Sequence, residues 1–237
     1  MSFKKIDPNL KVLILCGGKG ERLKPLTHKV PKPLIQIKGK PMLNYLISYF
    51  ETYGLKKFVV AVGYKSEEIA GYFKKNHSNL DIRIVDSGDA DIQKRIQDAI
   101  QHIPGDFIMC YGDTLANVDL HGLIAFHKRH KRKVSITLYP LQSQFGILDL
   151  DGSGKVVSFE EKPTLDKWIN IGYFYFSGKS RDDIAQSRSF VNFLQRTVKK
   201  NEMFGFKHTG LHITVNTITE LQEAEKSITK FDEILRR

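Results

Sequence analysis

Along this chain, short apolar runs alternate with segments whose apolar positions recur every three or four residues. KVLILC (11–16), KFVVAVG (57–63), DIRIV (81–85) and DFIMCYGD (106–113) read as strands. PMLNYLISYFETYG (41–54), SEEIAGYFKK (66–75) and DIQKRIQDAI (91–100), which lie between them, have the helical period. Pro41 is suited to open the first of these helices and Gly54 to end it. Strands and helices in strict alternation predict an α/β protein with a Rossmann-like, mostly parallel or mixed sheet flanked by helices.

Beyond residue 133 the spacing tightens. VSITLYPL (134–141), FGILDLD (145–151), KVVSFEEKP (155–163) and INIGYFYFS (169–177) read as a more antiparallel half, with DGSG (151–154) as a hairpin turn. Two helical segments, 189–200 and 218–237, close the chain with a short strand between them. With no repeat, low-complexity tract or long linker, one domain over 1–237 is expected.

The 237 residues are 41% hydrophobic, enough for a substantial core. The first residues lack the apolar centre of a signal peptide, and no run approaches the roughly 18 apolar residues of a membrane span. A soluble, cytoplasmic protein is therefore expected. Cys16 and Cys110 each end an apolar run and are read as buried free thiols. The net charge of +11 needs an anionic partner or an explanation. Its densest cluster, His127-Lys128-Arg129-His130-Lys131-Arg132-Lys133, follows a helical segment and reads as cations at a helix C-terminus facing water. No RNP motif, zinc-finger spacing or basic-zipper heptad accompanies it, so neither nucleic-acid binding nor membrane insertion is expected. The spacing of His121, His127, His208 and His212 matches no metal motif.

A polyphosphate is the remaining partner, and CGGKGERL (16–23) is where it would bind. Glycines after a strand let backbone N–H groups approach a phosphate. The string is not GxxxxGK[ST], and counting GxGxxG from Gly18 puts Leu23 at the third glycine, so the common ATP-loop and dinucleotide patterns both fail. Arg22, and Lys32 held between Pro31 and Pro33, supply cations suited to a triphosphate. Asp113 ends the strand of YGD, with Gly112 leaving room beside it; it is a hard oxygen ligand for Mg²⁺ or else a turn aspartate. Ligands of open α/β sheets bind outside the carboxyl ends of the strands, which places both motifs at one mouth.

GGKGERLKPLT (17–27), PKPL (31–34), YGD (111–113), FEEKP (159–163) and NIGYFYF (170–176) together resemble the sugar-1-phosphate nucleotidylyltransferases, over residues 11 to about 225. VDSGD, YGDTLANVDL and FGILDLDGSGKVVSFEEKP are most similar to the glucose-1-phosphate cytidylyltransferase branch. The resemblance implies a nucleotide-binding half (about 11–118) and a sugar-phosphate half (about 119–237). It implies that a sugar-phosphate oxygen attacks the α-phosphorus of an NTP, CTP in this branch, and that pyrophosphate leaves. Cys16, Gly17, Gly18, Gly20, Glu21 and Asp113 would hold the nucleotide, Arg22 the leaving pyrophosphate and Lys32 the α-phosphate. Gly146, Glu161, Lys162, Asn170 and Gly172 would hold the sugar phosphate; Trp168 is either a sugar platform or packing. Mg²⁺, with Mn²⁺ as an alternative, a homo-oligomer, and supply of nucleotide sugars for surface polysaccharide also follow.

Three departures stand out. Asn216 falls where the family places a second metal-binding aspartate, which removes one negative charge and predicts weaker metal affinity. The segment after VDSGD, which reads the base in the family, is glycine-free here, and Glu21 stands where threonine is common. The alternative readings are a nucleotide- or sugar-phosphate-binding protein with lost or weak catalysis, and a nucleotidylyltransferase using another NTP or another phosphorylated acceptor.

Overall fold

A computed structural model describes residues 5–236. In chain order its main elements are β1 (Lys11–Leu15), α1 (Met42–Thr52), β2 (Lys57–Val62), α2 (Ser66–Asn76), β3 (Asp81–Asp86), α3 (Ile92–Ile100), β4 (Phe107–Tyr111), β5 (Thr114–Ala116) and α4 (Leu120–His130). The second half comprises β6 (Val134–Gln142), β7 (Ile147–Leu150), β8 (Val156–Glu160), β9 (Thr164–Phe176), α5 (Arg181–Ala185), α6 (Phe190–Lys199), β10 (Met203–Lys207), β11 (His212–Thr214) and α7 (Ile218–Leu235).

Seven strands form one sheet in the order β10-β6-β9-β4-β1-β2-β3. The β4-β1-β2-β3 side is parallel, as the alternating pattern predicts. β9 then runs antiparallel to both β4 and β6, while β10 lies parallel to β6 at the edge. Both faces are covered, which explains why the central strands are apolar at consecutive positions. Val12 and Ile14 pack toward α1, α2, α4 and α7, whereas Leu13 packs toward α3, α5 and α6. α1 begins after Pro41, and Gly54 follows it at φ +76° as expected of a left-handed C-terminal glycine. Asp91, Asp119 and Thr217 cap α3, α4 and α7 by accepting from backbone N–H groups three residues on.

Three expectations are corrected. β9 starts at Thr164 rather than 169, because the first part of the strand pairs with the far end of β6. Two strands, not one, separate the last long helices: β10 extends the sheet and β11 pairs with β5. The basic run does not all face water. α4 continues through His130, and His127 turns inward, its ring 4.4 Å from that of Tyr175 and its Nδ1 2.9 Å from Ser135 Oγ. Burial holds its pKa below the usual imidazole value. Cys16 and Cys110 are buried free thiols. Among the described residues no helix is long and apolar enough to cross a membrane.

Candidate active site

The carboxyl ends of β1 and β4 lie side by side, with Leu15 in register with Tyr111. The chain leaves each strand through a glycine. Gly112 N donates to Leu15 O at 3.0 Å, and a Cβ on Gly112 would stand 2.7 Å from Cys16 Sγ. The room at Gly112 is therefore taken by the chain itself, not left for a ligand. This contact sets Asp113 beside the glycine turn. Gly20, at φ +63°, accepts on its carbonyl from Thr27 Oγ1 and leads into the short 3₁₀ turn that carries Arg22.

Lys32 is only 8% exposed. Its Nζ donates to Asp113 Oδ2 at 2.5 Å and to Asn216 Oδ1 at 2.8 Å. Arg22 Nη2 donates to the same Asn216 oxygen at 3.2 Å. Arg22, Lys32, Asp113 and Asn216 come from four separate segments and meet in one polar cluster. Two cations, donors that an anionic substrate can also engage, thus converge on the oxygens of Asp113 and Asn216.

Glu220 was not foreseen from the sequence. Its Oε2 accepts from Asn216 N at 2.9 Å, Asn216 Nδ2 at 3.0 Å and Thr214 Oγ1 at 3.1 Å. It thereby turns the Asn216 carbonyl oxygen toward the two cations. The signal was present as Thr217-Ile218-Thr219-Glu220, a capping-box string at the start of α7. Arg95 was missed as well. Its side chain lies on Gly17, where a Cβ would meet Nε at 2.2 Å, and Nε is buried with no hydrogen-bond partner among the described residues. Lys19 spans from the turn to Asp89 at 2.8 Å.

The other expected residues are placed unevenly. Cys16 is buried beside Gly112, and burial raises its thiol pKa far above the ordinary range. Gly18 is open, with nothing close to where a Cβ would stand. Glu21 is exposed and ion-paired with Lys24. Asn170 Oδ1 accepts from Gly172 N at 2.8 Å, and Gly172 packs on the Tyr111 ring, so both adjoin the segment that delivers Asp113. Gly146, Glu161 and Lys162 sit at the root of the β7–β8 ribbon, where Glu161 and Lys162 are exposed. Trp168 carries Lys207 Nζ 4.7 Å from its ring centroid, a cation–π contact. A hollow of about 650 Å³ opens at the opposite end of the sheet, between Leu10, Ile103 and Ile124, and contains none of this cluster.

Residues 11–228 match the nucleotidyl transferase family model. The "probable glucose-1-phosphate cytidylyltransferase" of Bacillus subtilis (strain 168) is 32% identical across 92% of this chain and 95% of its own length. The D-glycero-alpha-D-manno-heptose 1-phosphate guanylyltransferase of Campylobacter jejuni is 30% identical across 81% and 87%. The solved structure of HddC from Yersinia pseudotuberculosis, complexed with GMP-PN, aligns with a TM-score of 0.72 at 25% identity, covering 92% of this chain and 99% of that one. The chain belongs to the sugar-1-phosphate nucleotidylyltransferase family of enzymes. Relatives use different bases and sugars, so the family defines the reaction class rather than the substrate pair.

Proposed function

We propose that this enzyme transfers a cytidylyl group from CTP to a hexose 1-phosphate such as glucose 1-phosphate, releasing pyrophosphate and forming a nucleotide sugar. The convergence of Arg22 and Lys32 on Asn216 and Asp113 at the strand ends carries the reading. The similarity to relatives named glucose-1-phosphate cytidylyltransferases supports the choice of base and sugar.

In the proposed reaction a phosphate oxygen of the sugar phosphate attacks the α-phosphorus. A bond forms there while the bond from that phosphorus to the oxygen bridging to the β-phosphate breaks, and that oxygen leaves with pyrophosphate. Such a transfer needs alignment and charge neutralisation more than covalent help. Lys32, held from two sides, neutralises the α-phosphate; Arg22 meets the departing pyrophosphate. The backbone of Gly17, Gly18 and Gly20 cradles the nucleotide, with Cys16 packed behind it. Arg95 packs its buried Nε against Gly17 and so backs the glycine turn from behind. Glu161, Lys162, Asn170, Gly146 and Gly172 receive the sugar phosphate.

The oxygen donors of Asp113 and Asn216 suit a hard divalent cation such as Mg²⁺ or Mn²⁺, completed by substrate phosphates. Such an ion supplies neutralisation of the crowded phosphate oxygens. Because Asn216 contributes a neutral carbonyl, the protein's own affinity for the ion is expected to be weak without nucleotide. Asn216→Asp is expected to tighten Mn²⁺ binding by at least about tenfold, read by titration calorimetry on the protein alone. Unchanged binding would remove Asn216 from the ligand set.

Pyrophosphate release, measured with each of four NTPs against a panel of sugar 1-phosphates, tests the assignment. CTP with glucose 1-phosphate should give the highest kcat/KM. A higher value with another pair reassigns the substrates, and nucleotide binding without release under either metal would favour the weakly catalytic reading that Asn216 motivates.

A further inference from the structure

The amide of Asn216 is held from both ends, and the two ends have opposite polarity. Its Oδ1 accepts from Lys32 Nζ at 2.8 Å and from Arg22 Nη2 at 3.2 Å, while its Nδ2 donates to Glu220 Oε2 at 3.0 Å. Turning the amide over would set its NH₂ against two cations and its oxygen against a carboxylate, so only one sense satisfies all three partners. The same Glu220 oxygen accepts from Asn216 N at 2.9 Å and from Thr214 Oγ1 at 3.1 Å, which ties it to the end of β11 as well as to the residue it orients.

Glu220 also departs from an ordinary helix cap. It is the third residue of α7, and its N–H donates to Thr217 Oγ1 at 3.1 Å. In a capping box the carboxylate at that position returns to the N–H of the cap residue itself. Here it reaches one residue further, to the backbone and side chain of Asn216, so the start of the helix is built around a site residue. Charge is ordered in the same direction. Lys32 meets the Asp113 carboxylate directly, and the Glu220 carboxylate lies one amide away from both Lys32 and Arg22. The Asn216 dipole has its negative end toward the cations and its positive end toward Glu220, and hydrogen bonds chained in this way polarise one another.

We propose that Glu220 is a positioning residue of the transfer reaction. Acting through Asn216, it fixes Lys32 Nζ and Arg22 Nη2 at the strand ends, so that both cations meet phosphate oxygens without first rearranging. That these cations act on the nucleotide phosphates rests on the reading given above; the coupling of Glu220 to Asn216 does not.

Exchanging the pair tests the proposal. Glu220→Gln keeps the size of the side chain and removes its charge. Asn216→Asp combined with Glu220→Gln moves the carboxylate to position 216 and the amide to position 220, reversing the polarity of the contact at unchanged net charge. In pyrophosphate release, Glu220→Gln should lower kcat about tenfold with both KM values within about twofold, and the exchanged pair should recover to within about threefold of the wild type. The melting temperature of the metal-free protein reads the same coupling without catalysis. Glu220→Gln should lower it in the wild type and raise it in the Asn216→Asp background, where two carboxylates would otherwise stand about 3 Å apart. An equal fall in both backgrounds overturns the proposal, as does an unmoved kcat in Glu220→Gln, which is the result a helix cap alone would give. Should Glu220→Gln fail to fold, Glu220→Asp, which keeps the charge on a side chain one methylene shorter, must lower kcat at least about threefold; turnover equal to the wild type overturns the proposal. Absence of pyrophosphate release from every substrate pair would sink the activity reading, and the sign of the melting-temperature change would still support or overturn the coupling of Glu220 to Asn216.

Discussion

Lys32 stands before Pro33 and Lys162 before Pro163, yet the surroundings of these two lysines differ. Lys32 is nearly buried and pinned by Asp113 and Asn216. Lys162 is exposed, at φ +49°, with no ion pair among the described residues. On the proposed reading, the half assigned to the nucleotide presents a charge cluster already assembled, and the half assigned to the sugar phosphate presents exposed groups on a projecting ribbon. In the proposed reaction, preorganisation, which lets fixed charges act without reorganising, is concentrated on the side where bonds would be made and broken.

The largest expected effect is at Lys32. Lys32→Met should lower kcat/KM by about 10³-fold in a pyrophosphate-release assay. Fold should be retained, because Asp113 keeps contact with water once its partner is gone. A loss below tenfold would show that Lys32 does not act on the reacting phosphates, and the contrast between the halves would collapse. Lys162→Ala should raise KM for the sugar phosphate by about 30-fold, the size of one charge-assisted hydrogen bond. KM for the NTP and the melting temperature should hold; an equal rise for both substrates would break the division of labour.

Next in size is a pH effect from the wall behind the Asn216 clamp. His212 lies with its ring 4.8 Å from Tyr139, and burial, reinforced by His208, lowers its pKa to about 4. Unfolded imidazole titrates near 6.5, so between those values the unfolded chain binds a proton that the folded chain refuses. Stability should therefore be fully present above about pH 7 and fall as pH drops from 6.5 toward 4. The His212 share is about 2 kcal/mol at pH 5. Urea midpoints at pH 5 and 7 measure it, and His212→Gln should reduce the difference. The smallest effect is at the helix cap. Thr217→Ala should cost about 1 kcal/mol in urea unfolding by removing the acceptor for Glu220 N. It should also loosen Glu220, and with it Asn216, giving a modest fall in kcat; a drop in stability with kcat unmoved would separate the cap from the site.

Much of the fold was legible because periodicity reports burial. β1, β2, β3 and β4 and the helices between them were marked by apolar spacing, and Gly54 and DGSG by turn chemistry. β10, MFGFK, and β11, HIT, were not separable in sequence, since each is short and paired with a distant strand. His127 was read with its charged neighbours, and only the packing of α4 against β9 shows it turned inward. Of the residues that meet at the strand ends, Arg22, Lys32 and Asp113 were read from local motifs and Asn216 only through the family resemblance. Glu220 and Arg95 were not, because their roles lie in what they touch across the fold.

By itself the sequence determined the alternation of strands and helices, the glycine turn, the cations beside it and the family. Those are local properties, set by side-chain period, backbone freedom and charge at each position. Tertiary structure decided that Lys32 is buried against Asp113 and Asn216 while Lys162 is not, and that Gly112 yields its space to Cys16. It also decided that the Asn216 carbonyl faces Arg22 and its amide N–H faces Glu220. These depend on which distant segments the sheet order brings within a few ångströms, and that proximity is a property of the packed chain as a whole.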